Sequence, residues 1–181
     1  PNNANIYATL GLALLDNDRK SQEGAHALEK SLAINPSQQR LRIALANRHL
    51  AVNQPEHAIA QLQTAHNHTP DDIYIQQSYY KTLAQLNEYE LLKTAIETFT
   101  AKNPTDYRGD FFQGWYELQL KDNKSALQSF LRSLEKAGAG DKHLPYSGIA
   151  QAHLTSGDAT KSLAAWQKAI DANPNFAAAY G

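Results

Sequence analysis

The sequence of 181 residues has no cysteine and no methionine. Without cysteine, disulfides and cysteine-ligated metal sites are excluded. The absence suits an exported protein without requiring export. Methionine is missing even at the first position, so the sequence is expected to be a processed or excised piece of a longer chain. No charge of one sign dominates. Seventeen Lys and Arg stand against eighteen Asp and Glu, for a net charge of −1, which gives no reason to expect nucleic acid or an anionic membrane as partner. No apolar run approaches the roughly 18 residues that would span a bilayer. The start, PNNANIY, is polar and unlike a signal peptide.

What the sequence does have is a period. Prolines stand at Pro36, Pro70, Pro104 and Pro174, with Pro1 before them, at spacings of 35, 34, 34 and 70 residues. The last spacing is two periods with one proline missing, and a fixed period near 34 marks a helical repeat array. Residues 39–72 are the template. Leu45, Ala46 and His49 line a first helix. Gln54-Pro55 opens a second, because proline is tolerated in a first turn, where its missing N–H is not needed. That helix carries Ala58, Leu62 and Ala65 on one stripe and stops at Thr69-Pro70.

The other units are expected at 4–38, 73–106, 107–142 and 143–176, with 177–181 starting a further first helix. Both ends then fall at the same phase, as in an internal slice of a longer solenoid. In the first unit Tyr7, Leu10, Gly11 and Leu14 face Gly24, Leu28, Ser31 and Leu32, across a DNDRKSQ turn one residue longer than the template's. Short side chains at such a crossing let two helices approach to about 8–10 Å. The third unit has Leu92 and Phe99 where the template has Ala58 and Ala65, so its helices should be pushed apart or rotated. The fourth packs Phe111, Phe112, Trp115 and Tyr116 into six residues. Its second helix, with Ala126, Phe130 and Ser133 in phase, ends in AGAGDK, where glycine is expected to supply the positive φ of a helix end. The fifth returns to pattern with Tyr146, Ile149, Ala150 and His153, then Gly157, then Ser162, Trp166 and Ala169.

Across essentially its whole length the chain resembles the tetratricopeptide family. The family's aromatic and Leu-Gly pair appears as Tyr7, Leu10 and Gly11, and more loosely as Tyr146, Ile149 and Ala150. Its small–large–small triplet appears as Ala58, Leu62, Ala65 and as Ser162, Trp166, Ala169. Pentatricopeptide repeats, which read RNA at a 35-residue period, lack the closing proline, and a bundle without repeats would not give five units in phase. The resemblance implies an all-α, right-handed superhelical solenoid of antiparallel helix pairs, with ten to eleven helices in a single array. It also implies a protein-interaction scaffold whose first helices line a concave groove. The groove positions are then Arg40, Ile43 and Asn47; Tyr74, Gln77 and Lys81; Arg108, Phe111, Trp115 and Gln119; and Gln151, with Leu50, Gln85, Leu144 and Ser147 in the same phase. Cations beside aromatics there would favour an acidic peptide or protein segment anchored by its apolar side chains. The competing reading is that Phe111 and Phe112 only pack between helices and that the charges are solvated. It is preferred for Phe112 and evenly balanced for Trp115. The carboxylate clamp of some chaperone adaptors is not expected, because Ile43 and Gln77 occupy positions where it needs polar grips.

No nucleophile–base pair, phosphate loop or metal-spaced cluster appears, so neither an enzyme nor a cofactor or metal site is expected. AGAGDK follows a helix, whereas a phosphate loop precedes one. His66 and His68, two apart, point to different faces and are expected at a solvated helix end. His49 and His153 are expected against the paired helix, and Glu88, Glu90 and Glu97 in solvent. Asn-Pro closers and alanine-rich second helices resemble those of bacterial envelope and exopolysaccharide-export proteins. That favours a soluble chain of the periplasm or envelope over a cytoplasmic one. Self-association through exposed ends such as 177–180, or a role as the regulatory arm of an enzyme, are the alternatives.

Overall fold

Helices in this chain begin where a short polar side chain accepts from backbone N–H groups that the helix itself leaves unpaired. Asn3, Ser21, Asp72, Asp106, Asp122 and Asp158 do this at the heads of α1 (Ala4–Asn17), α2 (Gln22–Ile34), α5 (Ile73–Gln85), α7 (Tyr107–Gln119), α8 (Asn123–Lys136) and α10 (Ala159–Ala172). Pro55 opens α4 (Pro55–His68), and α3 (Leu41–Ala51), α6 (Tyr89–Lys102) and α9 (His143–Thr155) complete the set. The computed structural model describes residues 3–176. Among them are ten α-helices, one short 3₁₀ turn (Ala139–Asp141) and no strand, the all-α architecture that the repeat implies. An eleventh helix from residue 177 would lie outside the described residues.

Four inter-helix turns place one residue in the left-handed region: Asn53, Asn87, Lys121 and Gly157, at φ of 57°, 60°, 62° and 82°. These positions recur at the repeat spacing, and asparagine and glycine tolerate them best. The glycines of AGAGDK do not play that part. α8 ends because Ala137 turns to an extended conformation (φ −69°, ψ 132°) and buries its methyl, and Gly138 follows at φ −64°.

The chain divides into two compact units, Pro1–Asn87 and Glu88–Gly181. The division falls between α5 and α6, inside the third expected repeat, where Leu92 and Phe99 replace the template's alanines; both are buried. In the first unit α1 packs on α2 and α3 on α4, while α2–α3 and α4–α5 contacts carry one repeat to the next. Gly11 and Gly24 make the first crossing. A Cβ at Gly11 would stand 2.9 Å from the Gly24 carbonyl oxygen, and one at Gly24 would stand 3.2 Å from that of Gly11. The Ser31 hydroxyl donates to the Ala4 carbonyl across the same pair (2.7 Å).

In the second unit α6 packs on α7, α7 on α8, α8 on α9 and α9 on α10, and α7 also touches α9. Ser133 repeats the role of Ser31, donating to the Tyr107 carbonyl at 2.9 Å. The Phe130 ring is fully buried against the Gly114 and Gly148 backbones. A polar seam joins α7 to α8. The Ser129 hydroxyl donates to Glu117 (2.6 Å), Arg132 donates to Ser129 and Asp110 (both 2.9 Å), and Lys136 pairs with Asp110 (2.7 Å).

Candidate functional site

On the first unit the expected groove positions form two stripes at i, i+3, i+7 spacing, which puts each set on one helix face. Arg40, Ile43 and Asn47 lie along α3 from its N-cap, and Tyr74, Gln77 and Lys81 along α5. Asn47 and Lys81 are exposed, Ile43 and Gln77 are half-buried, and Tyr74 is 59% exposed. The stripes meet at their N-terminal ends. Arg40 Nε donates to Asp72 Oδ2 at 2.6 Å, and its guanidinium carbon lies 4.6 Å from the centre of the Tyr74 ring. Asp72 also caps α5 by accepting from the Tyr74 and Ile75 N–H groups. Burial pushes the Asp72 carboxyl up, but the hydrogen bonds from Arg40 and from those two N–H groups outweigh it and hold it below its ordinary value. The same contact holds the Arg40 guanidinium above its ordinary value.

The second unit is organised differently. Arg108 grips Asp106 with Nε (3.0 and 3.1 Å) and an Nη (2.7 Å), and lies 5.1 Å from the Phe99 ring centre. Phe111 is corrected. Expected on the groove, it is buried among Phe112, Trp115 and Phe130, with ring centres 5.4, 6.4 and 5.9 Å away. The crowded α7–α8–α9 packing takes its face inward. Phe112 is buried as the competing reading prefers, whereas Trp115, one turn further along, is 39% exposed with the Phe111 edge behind it. Gln119 is exposed and Gln151 half-buried, while Leu144 and Ser147 are buried, Ser147 donating to the Leu144 carbonyl. The accessible part of this stripe is therefore Trp115, Gln119 and part of Gln151. Since Arg40 and Arg108 each face a carboxylate, the cationic character expected of these positions rests on Lys81.

One residue escaped the sequence reading. Leu12 has the register of Asn47, Lys81, Trp115 and Gln151 and is exposed on α1, which touches α3. Carrying the repeat offset back into the first unit finds it. His66 is also corrected. It packs on Tyr79 and Tyr80 (ring centres 5.5 and 5.6 Å), because α5 crosses the last turn of α4, while His68 is exposed and hydrogen-bonds the Thr64 carbonyl oxygen. His49 is half-buried, stacked on His57 (5.3 Å) and hydrogen-bonded to Gln54. Glu88, Glu90 and Glu97 are exposed. Among the described residues no cluster of three or more His, Asp or Glu is placed to hold a metal, and no helix is long and apolar enough to cross a membrane.

The Asp106–Arg108 grip gives a pH dependence of known sign. Burial pushes the Asp106 carboxyl up, but the Arg108 side chain and N–H outweigh it and hold it below its ordinary value. A depressed folded-state value contributes stability that is present above the unfolded value of about 3.9 and is lost as pH falls through the folded one. Asp106→Asn should therefore lower the urea midpoint most at pH 7, with the gap to wild type narrowing below about pH 4. A gap of constant size at every pH would show that the pair contributes no such term.

No family model matches the chain, and neither does any curated protein. Solved structures do. A thermophilic TPR protein of Thermus thermophilus (TTC0263) superposes with a TM-score of 0.65 at 18% identity, over 98% of this chain and 95% of that one. MamA of Desulfovibrio magneticus RS-1, from residue 41 to its end, gives 0.55 at 10% identity over 96% of both chains. YrrB, described as a TPR protein with an unusual peptide-binding site, gives 0.52 at 16% identity, over 99% of this chain and 91% of that one. With the 34-residue register, the capped helix pairs and these superpositions, the chain has the tetratricopeptide-repeat fold.

Proposed function

We propose that the chain is a non-catalytic interaction scaffold and that the α3–α5 face of its first unit binds a peptide or protein segment. The observation that carries this reading is Tyr74, a large aromatic left 59% exposed yet held in one orientation by Arg40, which is itself held by Asp72. Exposed aromatics fixed in advance lose little freedom on binding and make good anchors. Leu12, Ile43 and Asn47 extend the surface on one side, and Gln77 and Lys81 on the other. The ligand that fits is an extended or helical segment with an apolar side chain against Tyr74 and a carboxylate near Lys81. The peptide-binding site ascribed to YrrB lends support by fold analogy. Trp115 and Gln119 form a secondary contact surface in the second unit. The finer part of the proposal is a place within a larger bacterial assembly such as envelope or exopolysaccharide export, which proximity labelling in the native cell tests.

The binding reading is tested by panning a displayed peptide library on the chain and titrating consensus peptides against variants. Tyr74→Ala is expected to weaken binding at least about tenfold. Lys81→Glu should selectively weaken acidic peptides and flatten their salt dependence. Consensus peptides that bind Tyr74→Ala and wild type equally would sink the assignment to this face.

A further inference from the structure

Two histidines meet across the turn between α3 and α4. His49 lies in the last turn of α3 and His57 in the first turn of α4, and Asn53, at φ 57°, reverses the chain between them. They make no sequence motif, yet the turn brings their ring centres to 5.3 Å. His49 is half-buried and fixed. Its Nδ1 lies 2.9 Å from the Gln54 side-chain oxygen. An amide oxygen only accepts, so Nδ1 carries the proton and the Nε2 lone pair faces away from Gln54. Gln54 is held in turn, because its backbone N–H donates to the His49 carbonyl at 2.8 Å. Metal-binding histidines use this arrangement, in which a hydrogen bond at one ring nitrogen sets the tautomer and the orientation of the other.

The spacing fits a shared ion. Two imidazoles on one tetrahedral zinc ion, with Zn–N of about 2.0–2.1 Å, have their centres about 5 Å apart. Plain ring packing allows the same distance, but it does not require the fixed tautomer. The rings now stand nearly parallel, at 22°, and His57 is exposed, so its ring can turn a nitrogen toward His49 without leaving a cavity. Charge neither drives nor forbids a cation here. Arg48 and Glu56 are opposite in sign, and each sits one residue from a histidine, on another helix face. The carbonyl end of α3 and the N–H end of α4 likewise offset each other. We propose that His49 Nε2 and a ring nitrogen of His57 bind one transition-metal ion of the class of Zn²⁺, Ni²⁺ or Cu²⁺, with water completing its coordination. Imidazole suits these ions, whereas Mg²⁺ and Ca²⁺ prefer oxygen. The bound ion ties the end of α3 to the start of α4 and so stabilises that helix pair.

The test is calorimetric titration of the chain with nickel or zinc chloride, beside thermal unfolding followed by circular dichroism. One ion should bind tightly per chain and raise the unfolding temperature, whereas magnesium chloride should do neither. His49→Gln and His57→Gln should each weaken binding at least about tenfold and abolish the thermal shift, because each leaves a single imidazole. His68→Gln removes an exposed histidine elsewhere on α4 and should change nothing. Because His57 is exposed, His57→Gln should keep the fold, as unchanged circular dichroism without metal would verify. The proposal is overturned by a wild type that takes up no nickel or zinc. It is equally overturned if His57→Gln binds as tightly as wild type, the mark of a site at other histidines, or if His68→Gln abolishes binding.

Discussion

Phe130→Ala is expected to destabilise the Glu88–Gly181 unit by about 3–5 kcal/mol, at the upper end for large-to-small core changes. The ring is fully buried, and it is the largest of the fully buried side chains among the described residues. It also lies against backbone on two sides, because Gly114 of α7 and Gly148 of α9 offer no side chain that could swing into the space. A cavity walled by two helix backbones collapses poorly, and the cost of a deletion grows with the cavity left behind. Phe111, 5.9 Å away, would lose an aromatic neighbour as well. Urea unfolding followed by circular dichroism, with the slope unchanged, would measure the loss. A loss under about 1 kcal/mol would mean that the packing around Phe130 rearranges freely, contrary to the geometry described.

The repeat itself was legible because it rests on chain-local rules. Proline cannot continue a helix, small residues mark a close crossing, and the triplet Ala58, Leu62, Ala65 is fully buried as the template requires. The surface was less legible, for a physical reason. A first helix in a stacked array is packed along several sides, so a 3.6-residue period does not divide it into one buried and one solvated face. Phe111 and Trp115 share a stripe in the sequence, yet the first is core and the second exposed. Nor does phase reveal charge pairing. Arg40 and Arg108 read as open cations until Asp72 and Asp106 are recognised as helix caps that reach them; for Arg108 the signal lay two residues upstream. Gly148 was not legible because it lies off the small-residue stripe, whereas Gly114 has the register of Gly11, Ala46 and Ala150 and the repeat offset finds it. Their meaning comes from Phe130, which stands where α2, α4 and α6 carry leucine or isoleucine and needs room opposite.

That relation yields the second large effect. Gly148→Ala would place a methyl inside the contact distance of the Phe130 ring edge, closer than real side-chain atoms approach. Both sides are constrained, since the ring cannot retreat from Gly114, where a Cβ would already meet it at 2.7 Å. The cost should be about 1–3 kcal/mol, the usual range for an overpacked core, although alanine is the better helix former at an unconstrained site. The pair should also be coupled. Phe130→Leu alone opens a cavity and Gly148→Ala alone overfills the site, so each change supplies what the other lacks. The double variant would reproduce the Leu28–Ala44 combination that the first unit already packs between α2 and α3. It should therefore be more stable than the sum of the single changes implies, by about 1 kcal/mol or more, within the range for residues in direct contact. A double-mutant cycle in urea measures this directly. Additivity within about 0.3 kcal/mol would show that the glycine is not there to make room for the ring.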